Sequence, residues 1–191
     1  RLTSWDSRAM AELPFIEAIR QARARGVVIP AVFYGELTGL ARTLSFTVSG
    51  KSSTEQIRRV LDSLNDALES GGTFKTWVDE VRKRNIPLDL PSSRKELIFR
   101  NHMQTAYNRG RCKSFERNQE RRPFLLYDAV DDARTRPTHA AMDGFIASID
   151  DPIWQEWMPQ NGHRCRCQVI SLTPEQAEAR GGPTGAPPGV I

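Results

Sequence analysis

Cysteine and histidine are scarce in this chain, three of each among 191 residues. Three cysteines cannot build a disulfide framework, which excludes the small stapled secreted folds and makes a reducing compartment the expected setting. No stretch approaches the ~18 consecutive apolar residues of a membrane span, and no apolar leader with a cleavage site opens the chain, so neither insertion nor export is expected. The phosphate-cradling Gly-x-x-x-x-Gly-Lys-Ser/Thr is missing, which argues against a packaging ATPase. So is the His-x-Glu with Cys-x-x-Cys of the zinc deaminases. There is no internal repeat.

What is present reads as an ordinary globular chain, 39% hydrophobic and 26% charged, long enough to bury a core. Net charge is +4, unevenly spread. Between Arg94 and Arg122 lie nine basic residues and three acidic ones, so that segment carries +6 and the remainder −2. A polyanion would feel this segment first, although a solvated face explains the same charges equally well. The Gly/Pro-rich stretch after Glu178 offers too little apolar surface to repay ordering and is expected to be a linker of a longer polypeptide.

The first half alternates helix signals with stops. Pro14 suits a first turn, with Phe15, Ile16 and Ile19 as its stripe and Gly26 as its end; Val27 to Pro30 is an extended connector. Phe33, Leu37, Leu40 and Leu44 define a second helix, interrupted at Phe46 to Gly50. A third opens at Ser52 or Ser53 with Glu55 or Gln56, runs through Ile57, Val60, Leu61, Leu64 and Leu68, and stops at Gly71-Gly72. A fourth carries Phe74, Trp77, Val78 and Val81. These four are expected to bundle. Ser92-Ser93 with Glu96 opens a long helix whose stripe of Phe99, Met103, Ala106 and Gly110 is narrow and whose basic residues spread around the cylinder. Beyond Pro123, short strands at 124–127 and 167–170 flank a turn-rich excursion. The expected architecture is α+β: a helical region at 1–90, a small α+β domain at 91–178 and a tail at 179–191.

That excursion concentrates the chemistry. Cys165 and Cys167 sit i, i+2, so on a strand both sulfurs face one side, and the flanking Arg164 and Arg166 favour thiolate. His139 is the natural third ligand of a structural zinc; His163 and Asp132 are candidates for the fourth, Cys112 a remote one. The alternative is that His139 hydrogen-bonds a backbone carbonyl or Asp132 while the cysteines serve as small buried apolar groups. The incomplete ligand count tips the balance slightly that way. Asp128, Asp131, Asp132 and Asp143 could hold a divalent ion for a nuclease, but carboxylates in turns usually cap backbone. Trp154 and Trp157, at i and i+3, are expected to roof the small core.

The strings DARTRPTHAAMDG and DDPIWQEWMPQNGHRCRCQVI resemble the C-terminal domain of the phage Mu F-type minor head proteins. LPFIEAIRQARARG, LARTLSFTVSG and LDSLNDALESGGTFKTWVDEVR resemble that family's N-terminal half, and NHMQTAYNRGR the helix leading into its shared domain. Some branches carry Cys-x-x-Cys where this chain has Arg136 to His139, with the first cysteine replaced by Arg136. The resemblance implies a non-catalytic minor structural protein of a tailed-phage head, several copies per virion. It would sit in the head interior or at the portal vertex after assembly in the host cytoplasm. The implied partners are the portal protein, the major capsid protein and packaged double-stranded DNA, held without sequence preference; Arg109, Arg111, Lys113 and Arg117 would be the phosphate contacts. By the same resemblance, such a domain also serves as the delivery module of some bacterial polymorphic toxins.

Overall fold

The computed structural model describes residues 16–27, 45–48 and 53–185. Its architecture is α+β: a helical part and a small sheet part joined by one long helix. The helical part contains α1 (Ile16–Arg23), the parallel pair β1 (Gly26–Val27) and β2 (Ser45–Phe46), α2 (Thr54–Glu69), α3 (Phe74–Lys83) and α4 (Ser92–Arg117). The helix expected over Phe33 to Leu44 lies outside the described residues.

The stripe on α2 forms as its 3.6-residue spacing requires. Ile57, Val60, Leu61 and Leu64 are buried against Trp77 and Val81 of α3, Phe46, Val48 and Phe99 of α4. Burying each such aliphatic side chain contributes roughly 1.5–3 kcal/mol before ordering entropy is charged against it. Ser53 caps α2 by accepting from the Gln56 N–H, and Gly71 at φ 66 supplies the left-handed turn that ends it. Thr73 and Thr76 form a reciprocal capping box on α3. At the centre, Trp77 is 1% exposed, stands 5.5 Å from Phe99 and donates its indole N–H to the Ser63 hydroxyl at 3.0 Å.

Two details of the helical part differ from expectation. α1 packs through Ala18 and Ala22 with Ile19 against them, whereas Ile16 is 45% exposed; Pro14 and Phe15 lie outside the described residues. The cause is Gly110: a Cβ there would stand 2.5 Å from the Ala18 nitrogen, so backbones meet where only small residues fit. And α4 is not opened by a Ser93/Glu96 box, since its N-cap is Pro91 with no side-chain cap bond. The expected stripe of α4 is buried at Phe99, Ala106 and Gly110 with Met103 packed beside it, and His102, Asn108 and Cys112 are buried as well. This helix touches α1, α2 and α3 and also β5, so it is covered on several sides.

The sheet part has the order β4-β3-β5, with β3 (Phe124–Asp128) central and antiparallel to both β4 (Ile146–Ser148) and β5 (Gln168–Leu172). Alternation sorts β3: Leu125 and Tyr127 face the core that holds the cysteines, while Phe124 and Leu126 pack with Ile146, Leu172 and Ala177 on the other side. α5 (Pro137–Ala141), α6 (Ile153–Trp157) and α7 (Pro174–Glu178) complete it. β4 was not foreseen, because three residues are too few to show a period. The Gly/Pro-rich stretch is fastened further than its composition indicated. The Ile146 N–H donates to the Thr184 hydroxyl at 2.8 Å, and the Thr184 N–H donates to the Ile146 carbonyl at 2.9 Å.

Candidate metal centre

Cys165 and Cys167 do not lie on a strand, since β5 begins at Gln168; they occupy the irregular approach to it. That approach is shaped by Gly162 at φ 91 and Arg164 at φ 59, both in the left-handed region. Two residues on other elements hold it in place. From α4, Asn101 accepts from the Arg164 N–H at 3.0 Å and from the Gln160 amide at 2.9 Å, while its own amide nitrogen lies 2.7 Å from His163 Nδ1. From the entrance of α5, Arg136 donates to the His163 carbonyl at 2.8 Å and to that of Asn161 at 3.5 Å. Arg136 thus anchors the loop through carbonyls. Neither role is visible in sequence, because both are bonds between a side chain and distant polar groups of a loop.

Pro137 in the first turn of α5 sets the helix that presents His139. Its Nδ1 faces both sulfurs, 3.6 Å from Cys165 Sγ and 3.4 Å from Cys167 Sγ. A tetrahedral ion with Zn–S of about 2.3 Å and Zn–N of about 2.0–2.1 Å requires S···N of about 3.6 Å. The three donor atoms lie within 4.8 Å of one another, and the residues are 3–5% exposed. Trp157 packs edge-on against the imidazole at 6.2 Å, and Trp154 is buried against Phe145, so the tryptophans roof this core.

Electrostatics divide the two thiols. Cys167 is pushed down to about 5, chiefly by Cys165 and then by Tyr127 and His139. Cys165 is pushed up, because its proton is shared toward Cys167 and because it is buried. This asymmetry favours the thiolate on Cys167, the form a metal binds. The Tyr127 hydroxyl, fully buried in this core, has no hydrogen bond of normal geometry, and burial pushes its pKa up.

None of the proposed fourth ligands joins the trio. Asp132 accepts both guanidinium nitrogens of Arg166, at 2.6 and 2.7 Å, and the Arg134 N–H at 2.9 Å; Arg166 holds its carboxyl far below the usual range. It is therefore not the hydrogen-bond partner of His139 either. His163 is exposed and turned to Asn101. Cys112 is buried on α4, where burial pushes its thiol up to about 11. Among the described residues the metal-ligating cluster is the trio alone. Two of the other carboxylates offered for a nuclease are committed: Asp128 accepts from Gln168 at 2.6 Å and Asp143 from the Ala129 N–H at 2.8 Å.

The four candidate DNA contacts are spread along α4. Arg111 donates to the Gln168 side chain, Arg117 to Glu17, and Lys113 pairs with Glu116 at 2.6 Å. The Arg109 Nε is buried without a hydrogen-bond partner.

A sheet-based module with a buried Cys-x-Cys and histidine, reached by a long helix from a helical part, is the class of structure these residues define. The family model described as Phage Mu protein F like protein matches residues 58–170, and the chain belongs to that family. It is similar to the putative capsid assembly protein F of Escherichia phage Mu, 29% identical over 182 residues, covering 85% of this chain and 41% of that protein. It is also similar to the Mu-like prophage FluMu F protein of Haemophilus influenzae, 31% identical over 167 residues, 86% of this chain and 39% of that one. The chain thus spans about two fifths of the length of the curated relatives it matches. No solved structure matches.

Proposed function

We propose that this chain acts as a tailed-phage minor head protein in head morphogenesis at or near the portal vertex, with a structural rather than catalytic role. The observation that carries this is family membership across residues 58–170, a span that includes α4 and the whole Cys/His site, together with similarity to a protein named for capsid assembly. Its partners are the portal protein and the major capsid protein, and several equivalent copies attach through a repeated interface. Zinc held by His139, Cys165 and Cys167 acts as a structural staple for a small sheet whose own core is modest.

Packaged DNA is a further contact, made without sequence preference. Arg111 donates to a neutral amide, and the exposed pairs of Lys113 and Arg117 are of a kind that exchanges for phosphate at little cost.

Mass spectrometry of purified virions, after cross-linking, tests the reading. The expected result is the protein in mature particles with cross-links to the portal or major capsid protein. Its absence from every particle form, with the protein present only in lysate, would reject a virion role and favour a transient assembly factor or a delivery module.

A further inference from the structure

The trio supplies three ligands where a tetrahedral ion takes four; Asp132 and His163 are bonded elsewhere, and Cys112 is buried on α4 outside the cluster. A small pocket lies directly in front of the donors. It is lined by His139, Cys165 and Cys167 and rimmed by four arginines, Arg134, Arg136, Arg164 and Arg166. A zinc with two thiolates and a neutral imidazole carries no net charge, so it does not answer the rim. Among the described residues, the acidic group bonded to these arginines is Asp132, shared between Arg166 and Arg134. The rim of the open coordination position is therefore net positive.

We propose that this position is filled by a carboxylate from outside the chain, presented by an acidic side chain of a neighbouring protein in the assembly. This rests on the zinc reading of the trio. One oxygen binds the metal and the other accepts from the arginine rim. The rim already shows the matching geometry, since Arg166 grips the planar carboxylate of Asp132 through two nitrogens at 2.6 and 2.7 Å. Water at the same position would complete the coordination but leave the guanidinium charges unanswered. The site is then a docking point whose strength depends on the metal, and the staple and the partner contact are one feature.

Cobalt(II) in place of zinc tests this, because its visible absorption reports both thiolate coordination and the identity of the fourth ligand. The probes are acetate, a short oligoglutamate peptide and inorganic phosphate, added to the cobalt-loaded chain. Acetate and the peptide are expected to shift the band saturably and phosphate to leave it unchanged. Arg134→Gln and Arg164→Gln should each weaken the carboxylate effect roughly tenfold, the worth of one charge-assisted hydrogen bond. Arg134 is largely exposed, with its side chain at 81%, so its variant keeps the fold, which circular dichroism checks. Cobalt–thiolate bands that ignore both carboxylates, or respond more strongly to phosphate, overturn the proposal. A response to acetate but not to the peptide overturns the side-chain source. Absence of any cobalt–thiolate band removes the zinc reading itself, a failure distinct from the other two.

Discussion

His102 makes acid the sharpest probe of how the helical part is built. The residue is 1% exposed on α4, with its ring edge-on to Phe46 at 5.9 Å. The guanidinium of Arg25 lies 3.0 Å from Nδ1 and can only donate, so the imidazole is neutral with its proton on Nε2, which has no hydrogen-bond partner. Burial, assisted by the Arg25 charge, pushes its pKa down from 6.5 to about 3. The folded protein thus refuses a proton that the unfolded chain accepts. Stability from this residue is intact above pH 6.5 and falls toward pH 3. The slope is about 1.4 kcal/mol per pH unit, so roughly 2–3 kcal/mol disappears by about pH 4.5. Urea unfolding followed by circular dichroism from about pH 7.5 to 4.5, on the natural chain and on His102→Asn, isolates the effect. The variant loses some packing at every pH but should lose the His102 share of the slope. Parallel curves for the two proteins would show that His102 is solvated or charged in the fold, contrary to its enclosed position.

Other perturbations probe the packing and the metal. Gly110→Ala drives a methyl into the Ala18 backbone and should cost about 1–3 kcal/mol, measured by urea unfolding, with faster proteolysis within α1; unchanged stability would mean that the two helices are not in that contact. Ser63→Ala strands the Trp77 indole N–H in the core and should cost about 1–3 kcal/mol by the same measurement, whereas a neutral result would place water or another acceptor there. Cys167→Ser should abolish the zinc content of the purified protein by elemental analysis and lower its melting temperature, and full zinc retention would take Cys167 out of the site.

The readable and unreadable parts of this chain divide along physical lines. α2 and α3 were legible because each buries one stripe, and a stripe writes a 3.6-residue period into the sequence. α4 was legible in length and in its stripe of Phe99, Met103, Ala106 and Gly110, whereas the burial of His102, Asn108 and Cys112 was not, since a helix covered on several sides has no single period to read. α1 was only partly legible: Ile19 packs as expected, but the closest contact is made by alanines, whose small side chains mark no stripe, while Ile16 faces solvent. At the site, the close spacing of Cys165 and Cys167 and the isolation of His139 pointed to one another, and the fold brings them together across 26 and 28 residues. Asn101 and Arg136 could not be found that way. Their work is to fix a loop through its backbone, and residue type alone does not announce such a bond. Asp132 was a candidate fourth ligand, but the guanidinium of Arg166, the residue between the two cysteines, takes its carboxylate.

The most direct test of the account is genetic. A stop codon placed in the gene, in the phage that encodes it, should leave lysates with defective or unfilled heads by electron microscopy and few infectious particles. Supplying the natural protein in trans should restore them. Heads of normal form and normal infectious yield without the protein would contradict a role in head morphogenesis.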